Sequence, residues 1–130
     1  MENLADKAVK NFLEEGYSCS ESIVKTAIEE GWAPAEILDV ATSFSGGMSS
    51  GCACGAVTGA QIVIGFKHGR TKSGLAREKA KAFVDEFKKR NKACCCAALT
   101  HGFSDFHSPE RKAHCSKMVR DCAEILESLI

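Results

Sequence analysis

From Ser108 onward the chain repeats apolar residues every three or four positions: Cys115, Met118, Val119, Cys122, Ile125, Leu126 and Leu129 form one stripe. That spacing predicts an α-helix, because only 3.6 residues per turn gathers these positions on one side. Ser108-Pro109-Glu110 supplies its start, with a capping hydroxyl and a proline suited to the first helical position. A long one-sided helix must lay its stripe against other elements. The rest of the chain offers them. A first helix over about 3–15 spaces Leu4, Ala8 and Phe12 on one face and stops at Gly16. A second opens at Ser18, which has capping-box spacing to Glu21, and runs to Glu30. A third starts at Pro34 and carries Ile37, Leu38 and Ala41, and a fourth starts near Ser49 or Ser50 and ends around His68. A fifth follows Thr71 or Ser73 and buries Ala76, Ala80, Phe83, Val84 and Phe87. No segment alternates with period two. The expectation is an all-α fold, a compact bundle of about five to six helices in a single domain spanning residues 1–130.

Charge excludes some partners. Lys plus Arg and Asp plus Glu are 17 each, so no net field draws the chain to nucleic acid or an anionic membrane. The basic runs Lys67–Arg70 and Lys88–Lys92 fall near helix C-termini, where solvated cations complement the dipole. The longest apolar stretch, Ala60–Phe66, is interrupted by Gln61 and too short to span a bilayer. The N-terminal segment is charged and has no apolar signal core, so the expectation is a cytoplasmic protein.

In a reducing compartment, eight cysteines suggest metal binding or electron exchange rather than a disulfide framework. Cys19 follows the Ser18 cap, and Cys52 and Cys54 lie at the start of the fourth helix. Free amides and the dipole at such ends favour an anion and are expected to lower a thiol's pKa. Cys52 and Cys54 would lie ~200° apart on a helix, so they share one site only if this segment is still loop. Cys115 and Cys122 are two turns apart, too far for a mutual disulfide, and Cys122 reads as core. In the run Cys94-Cys95-Cys96, neighbours point different ways, so one would enter a shared site. No C-x-x-C, covalent-haem or ferredoxin spacing occurs, so any site must be assembled from distant segments. His68, His101, His107 and His114 are further candidate ligands.

Gly51, Gly55 and Gly59 recur every four residues and would stack on one helix face, widened by Ala56 and Ala60. Each glycine inside a helix costs about 1 kcal/mol relative to alanine, so the run needs an offsetting gain. Close helix packing is one such gain. Room for a bound cofactor beside Cys52 and Cys54 is the other.

Taken together, these residues resemble the C_GCAxxG_C_C family of redox-active proteins. Cys54-Gly55-Ala56-Val57-Thr58-Gly59 matches the central motif, with Gly46-Gly47-Met48 ahead of it. The segment from Gly16 to Val24 is similar to the one holding the family's first cysteine, which falls on Cys19. Cys96-Ala-Ala-Leu-Thr and Cys115-Ser-Lys-Met-Val-Arg-Asp are similar to the third and fourth cysteine segments. The resemblance implies four important cysteines on a helical scaffold and a redox role. Cys96 is chosen by the resemblance alone, and Cys52, Cys94, Cys95 and Cys122 are additions to the pattern.

The leading expectation is an iron–sulfur or other metal centre that transfers electrons, held by Cys19, Cys54, Cys96 and Cys115, with Cys52, Cys94 and Cys95 as secondary ligands. Four thiolates also suit structural zinc. The competing readings are dithiol–disulfide exchange or thiol redox sensing without metal, and a helical partner-binding protein whose cysteines are incidental. An electron-transfer partner protein fits the first reading, and exposed small-residue faces leave room for a homodimer.

Overall fold

The computed structural model describes residues 3–105 and 108–130. Five longer helices build the body: α1 (Leu4–Leu13), α2 (Cys19–Glu29), α4 (Gly55–His68), α5 (Ala76–Asn91) and α7 (Pro109–Leu129). Two single turns, α3 (Leu38–Ala41) and α6 (Cys96–Leu99), bring the number to seven among the described residues. No strand occurs there, only an isolated antiparallel bridge between Ala53 and Cys95.

The caps follow the sequence. Ser18 accepts from the Glu21 amide while Glu21 accepts from the Ser18 amide, completing the expected capping box of α2. Ser108 accepts from the Arg111 amide, and Pro109 occupies the first turn of α7. The α7 stripe is the longest wall of the core. Val119, Cys122, Ile125 and Leu126 are fully or nearly fully buried, with Phe83 and Phe87 of α5, Ala8 of α1 and Val24 of α2 in the same cluster. The all-α expectation holds.

Two local expectations give way to tertiary structure. The third helix is split into a 3-10 turn at Ala35–Ile37, the single turn α3 and a second 3-10 turn at Thr42–Phe44. The Ala41 carbonyl, at its junction, accepts instead from the buried Ser20 hydroxyl at 2.7 Å. The fourth helix begins at Gly55 rather than Ser49 or Ser50. Ahead of it, Gly46, Gly47, Met48, Ser49 and Gly51 all have positive φ, forming a left-handed turn that a right-handed helix cannot continue. Gly51 therefore leaves the helical glycine stripe.

Gly59 packs where a side chain would not fit: an added Cβ would lie 2.7 Å from the Ser20 carbonyl oxygen and 3.1 Å from the Ser20 Cα. Its role is to let α2 and α4 approach backbone to backbone. Gly65, six residues on, faces open space. We expect Gly59→Ala to lower stability by about 1–3 kcal/mol, and Gly65→Ala to raise it by about 0.5–1 kcal/mol. Urea midpoints of the two variants test this, since helix propensity alone would make both stabilising.

The α5–α7 contact is pinned by charge. Asp121, 8% exposed, accepts from Asn91 at 3.0 Å, Lys117 at 2.7 Å and Arg90 at 3.4 Å. Arg90 also pairs with Glu124 at 2.7 Å, so the basic run at the end of α5 is partly engaged rather than merely solvated. Burial would raise the Asp121 pKa, but the Lys117 and Asn91 hydrogen bonds prevail and hold it below the ordinary range. A lowered folded pKa contributes stability above the unfolded value, and that contribution is lost as pH falls through the folded one. Asp121→Asn should therefore be less stable by about 1–3 kcal/mol at neutral pH. Denaturation as a function of pH should show the gap closing below pH 4.

Candidate functional site

Three of the four family-like cysteines sit where a helix begins, and the fourth lies nearly two turns inside another. Cys19 is the first residue of α2, Cys54 caps α4, Cys96 is the first residue of α6, and Cys115 lies on α7. All four line a single cavity of about 440 Å³, together with Arg111, Lys112 and Met118 from the same face of α7. Cys54 and Cys96 are buried, at 6% and 7% exposure, while Cys19 and Cys115 are half-buried.

Local backbone geometry explains how distant segments meet there. The Cys54 amide donates to the Cys94 carbonyl at 2.7 Å, and the Cys96 amide donates to the Cys52 carbonyl. This short antiparallel pairing fixes the triple cysteine against the entry to α4. It also separates the three thiols. Cys96 lines the cavity, and Cys94 is half-buried. Cys95 is exposed, its Sγ donating to the Gly51 carbonyl at 3.2 Å. Cys52 is exposed as well, and neither it, Cys94 nor Cys95 lines the cavity. Cys122 lies in the core with no exposure.

The glycines divide by role. A Cβ on Gly55 would collide with the Cys19 sulfur and lie 3.0 Å from the Phe44 carbonyl oxygen, so its hydrogen clears the space that Cys19 occupies. Gly55 lines the cavity. Gly59 serves helix packing, and Gly51 lines a separate open groove of about 610 Å³ on the outer side of Cys96. Of the three glycines in the sequence stripe, only Gly55 lines the cavity that the four cysteines share.

The expectation that a helix start lowers the thiol pKa needs correction at Cys54. Amides of Ala56 and Val57 do reach its sulfur and favour the thiolate. Burial outweighs them, and together with the neighbouring Cys19 and Cys96 it pushes the pKa up to about 12. Burial likewise raises Cys96 and Cys115, against an opposing pull from the Arg111 guanidinium. Arg111 Nη2 donates to the Cys96 sulfur at 3.5 Å.

The histidines are engaged elsewhere or lie outside. His114 Nε2 is 2.7 Å from the Leu99 carbonyl, and its ring packs on Phe103 at 5.1 Å, which holds α6 against α7. His68 Nδ1 bonds the Ser73 hydroxyl at 2.8 Å. His101 is exposed, and His107 lies outside the described residues. Among the described residues, no three His, Cys, Asp or Glu side chains converge as the donors of a single ion would. No helix among them is long and apolar enough to cross a membrane. Arg111 is what residue-type reasoning missed: a basic residue four positions before Cys115 was the available signal, since i and i+4 share a helix face.

The described residues form an all-helical scaffold that draws cysteines from four elements onto one cavity. Its family model, described as "Putative redox-active protein (C_GCAxxG_C_C)", matches residues 17–129, and the chain belongs to this family. No curated protein and no solved structure matches the chain.

The raised thiol pKa has a measurable sign. In the metal-free, reduced protein, Cys54 keeps its proton up to about pH 12, whereas in the unfolded chain it loses it near pH 8.5. Folding stability should be flat on this account below pH 8 and fall as pH rises from 9 toward 12. The slope approaches about 1.4 kcal/mol per pH unit for this group. Urea denaturation of the wild type and Cys54→Ala across this range should show a shallower decline in the variant.

Proposed function

We propose that the chain holds an iron–sulfur cluster on Cys19, Cys54, Cys96 and Cys115 and passes electrons to a redox partner protein in the cytoplasm. The observation carrying this reading is the common cavity: four thiols from four separate elements line one space of about 440 Å³. The donor chemistry fits, because four cysteine thiolates are the ligand count of two-iron and four-iron clusters. The space fits as well, since thiols spread around a wall suit a group with volume of its own better than a point-like ion. Gly55, where a Cβ would strike the Cys19 sulfur, leaves that sulfur room at the cavity wall.

The protein's residues have distinct tasks in this reading. Cys54 and Cys96 supply buried ligands, and Cys19 and Cys115 close the ring from α2 and α7. When bound, such a cluster supplies one-electron redox change. The high pKa of Cys54 argues against a free attacking thiolate and for a thiol that ionises only beside a compensating cation. The Ala56 and Val57 amides stand ready to stabilise the negative charge on that sulfur. Arg111 does the same for Cys96.

Thiol–disulfide exchange is the second reading, and one observation favours it. Cys52 and Cys95 are both exposed, and the Cys95 sulfur contacts the carbonyl of the residue preceding Cys52. The two readings use different cysteines, so substitution separates them.

Anaerobic purification followed by absorption spectroscopy and iron, sulfide and zinc analysis is the test. We expect broad charge-transfer absorption with stoichiometric iron and sulfide. Serine at Cys19, Cys54, Cys96 or Cys115 should remove most of the bound iron, while Cys52→Ser and Cys95→Ser retain it. Colourless zinc protein would replace the cluster with a structural ion. Protein that stays metal-free after reconstitution would favour thiol exchange.

A further inference from the structure

We propose that Arg111 is the residue that sets the reduction potential of this site, through its contact with Cys96. The inference rests on the iron–sulfur reading above and names a determinant that the cysteine pattern does not contain. Its basis is the placement of one side chain. Arg111 Nη2 donates to the Cys96 sulfur at 3.5 Å, a distance suited to an N–H···S bond. Arg111 lines both the thiol cavity and the groove outside it, and Cys96, Ser45, Gly46 and Thr100 do the same. Arg111 and Cys96 therefore stand together in the partition between the enclosed thiols and the open side.

The chemistry follows from charge. A cluster on four thiolates is an anion, and reduction by one electron makes it more negative. A cation and a hydrogen-bond donor at a ligand sulfur stabilise the reduced form more than the oxidised one. Arg111 thus raises the midpoint potential. A guanidinium suits this position because it remains charged at all relevant pH values and directs N–H groups in a fixed plane. Its neighbour Lys112 provides an internal comparison. Lys112 also lines the cavity, but its Nζ lies over the Phe12 ring, 5.2 Å from the centroid. It carries the same charge at the site, and its placement on the ring gives it a weaker hold on the ligand sulfurs.

The reacting event is one-electron reduction of the oxidised cluster by a chemical reductant such as dithionite, with no bond made to Arg111. Its readout is the midpoint of a mediated potentiometric titration followed by absorption or electron paramagnetic resonance. Arg111→Gln and Arg111→Met should lower the midpoint, so that the reduced-to-oxidised ratio at the wild-type midpoint falls about threefold to tenfold. Arg111→Lys should recover part of the loss, and Lys112→Met should shift the midpoint less than Arg111→Met. A merely structural role for Arg111 would alter melting temperature or iron content without this ordered series of potentials. Arg111 variants that load normally and share the wild-type midpoint would overturn the proposal, as would a shift no larger than that of Lys112→Met. A wild-type protein that binds no cluster would instead overturn the underlying reading and the proposal with it.

Discussion

Close approach of α2 and α4 at Ser20 is the contact on which the site depends. Gly59 admits the Ser20 backbone, and Gly55 admits the Cys19 sulfur, so the helix carrying Cys19 lies directly against the start of the helix capped by Cys54. Ser20 is itself fully buried and ties this crossing to the Ala41 carbonyl. With α2 and α4 held at backbone distance, α7 brings Cys115 to the same opening, and the bridge between residues 52–54 and 94–96 brings Cys96. The left-handed turn before α4 is what allows Cys52–Cys54 to run extended and pair across. Met48 and Ser49 adopt positive φ there without being glycine, at about 1 kcal/mol or more each. Strain of this kind persists only where the surroundings fix it, and here it fixes the thiol arrangement.

Electrostatics at the site is a contest between burial and local donors. The α4 amides act on Cys54 as a helix start should, yet desolvation prevails because the sulfur is almost fully enclosed. Cys96 and Cys115 show the same balance with Arg111 as the opposing charge. Thiols in this condition are stable as thiols and costly as isolated thiolates. A bound cation inverts that preference. Enclosure and raised pKa values suit Cys54, Cys96 and Cys115 to holding a cation better than to attacking as free thiolates, whereas Cys52 and Cys95 are exposed.

Much of this was legible in the amino-acid sequence where periodicity or capping chemistry is local. The α7 stripe, the Ser18–Glu21 box, the Ser108-Pro109 start and the fifth helix with Phe83 and Phe87 all follow from spacing of a few residues. Cys19 and Cys54 at helix starts were legible for the same reason. The start of α4 was not, because a run of left-handed residues that includes Met48 and Ser49 is imposed by tertiary contacts rather than by side-chain type. The sorting of Cys94, Cys95 and Cys96 was likewise hidden. It is decided by backbone pairing with residues some 40 positions earlier, which no local pattern encodes. Glycine spacing alone could not separate Gly55, against a sulfur, from Gly59, against a backbone. Burial was the quantity missing from the Cys54 argument.

The central claim is that Cys19, Cys54, Cys96 and Cys115 surround one bound group. A crystal structure of anaerobically purified protein, with anomalous difference maps at the iron edge, tests it most directly. The account predicts iron density inside the cavity, bonded to these four sulfurs, with Cys52 and Cys95 unbonded. Iron held by a different set of side chains, or a cavity in which the four cysteines are paired as disulfides, would contradict it.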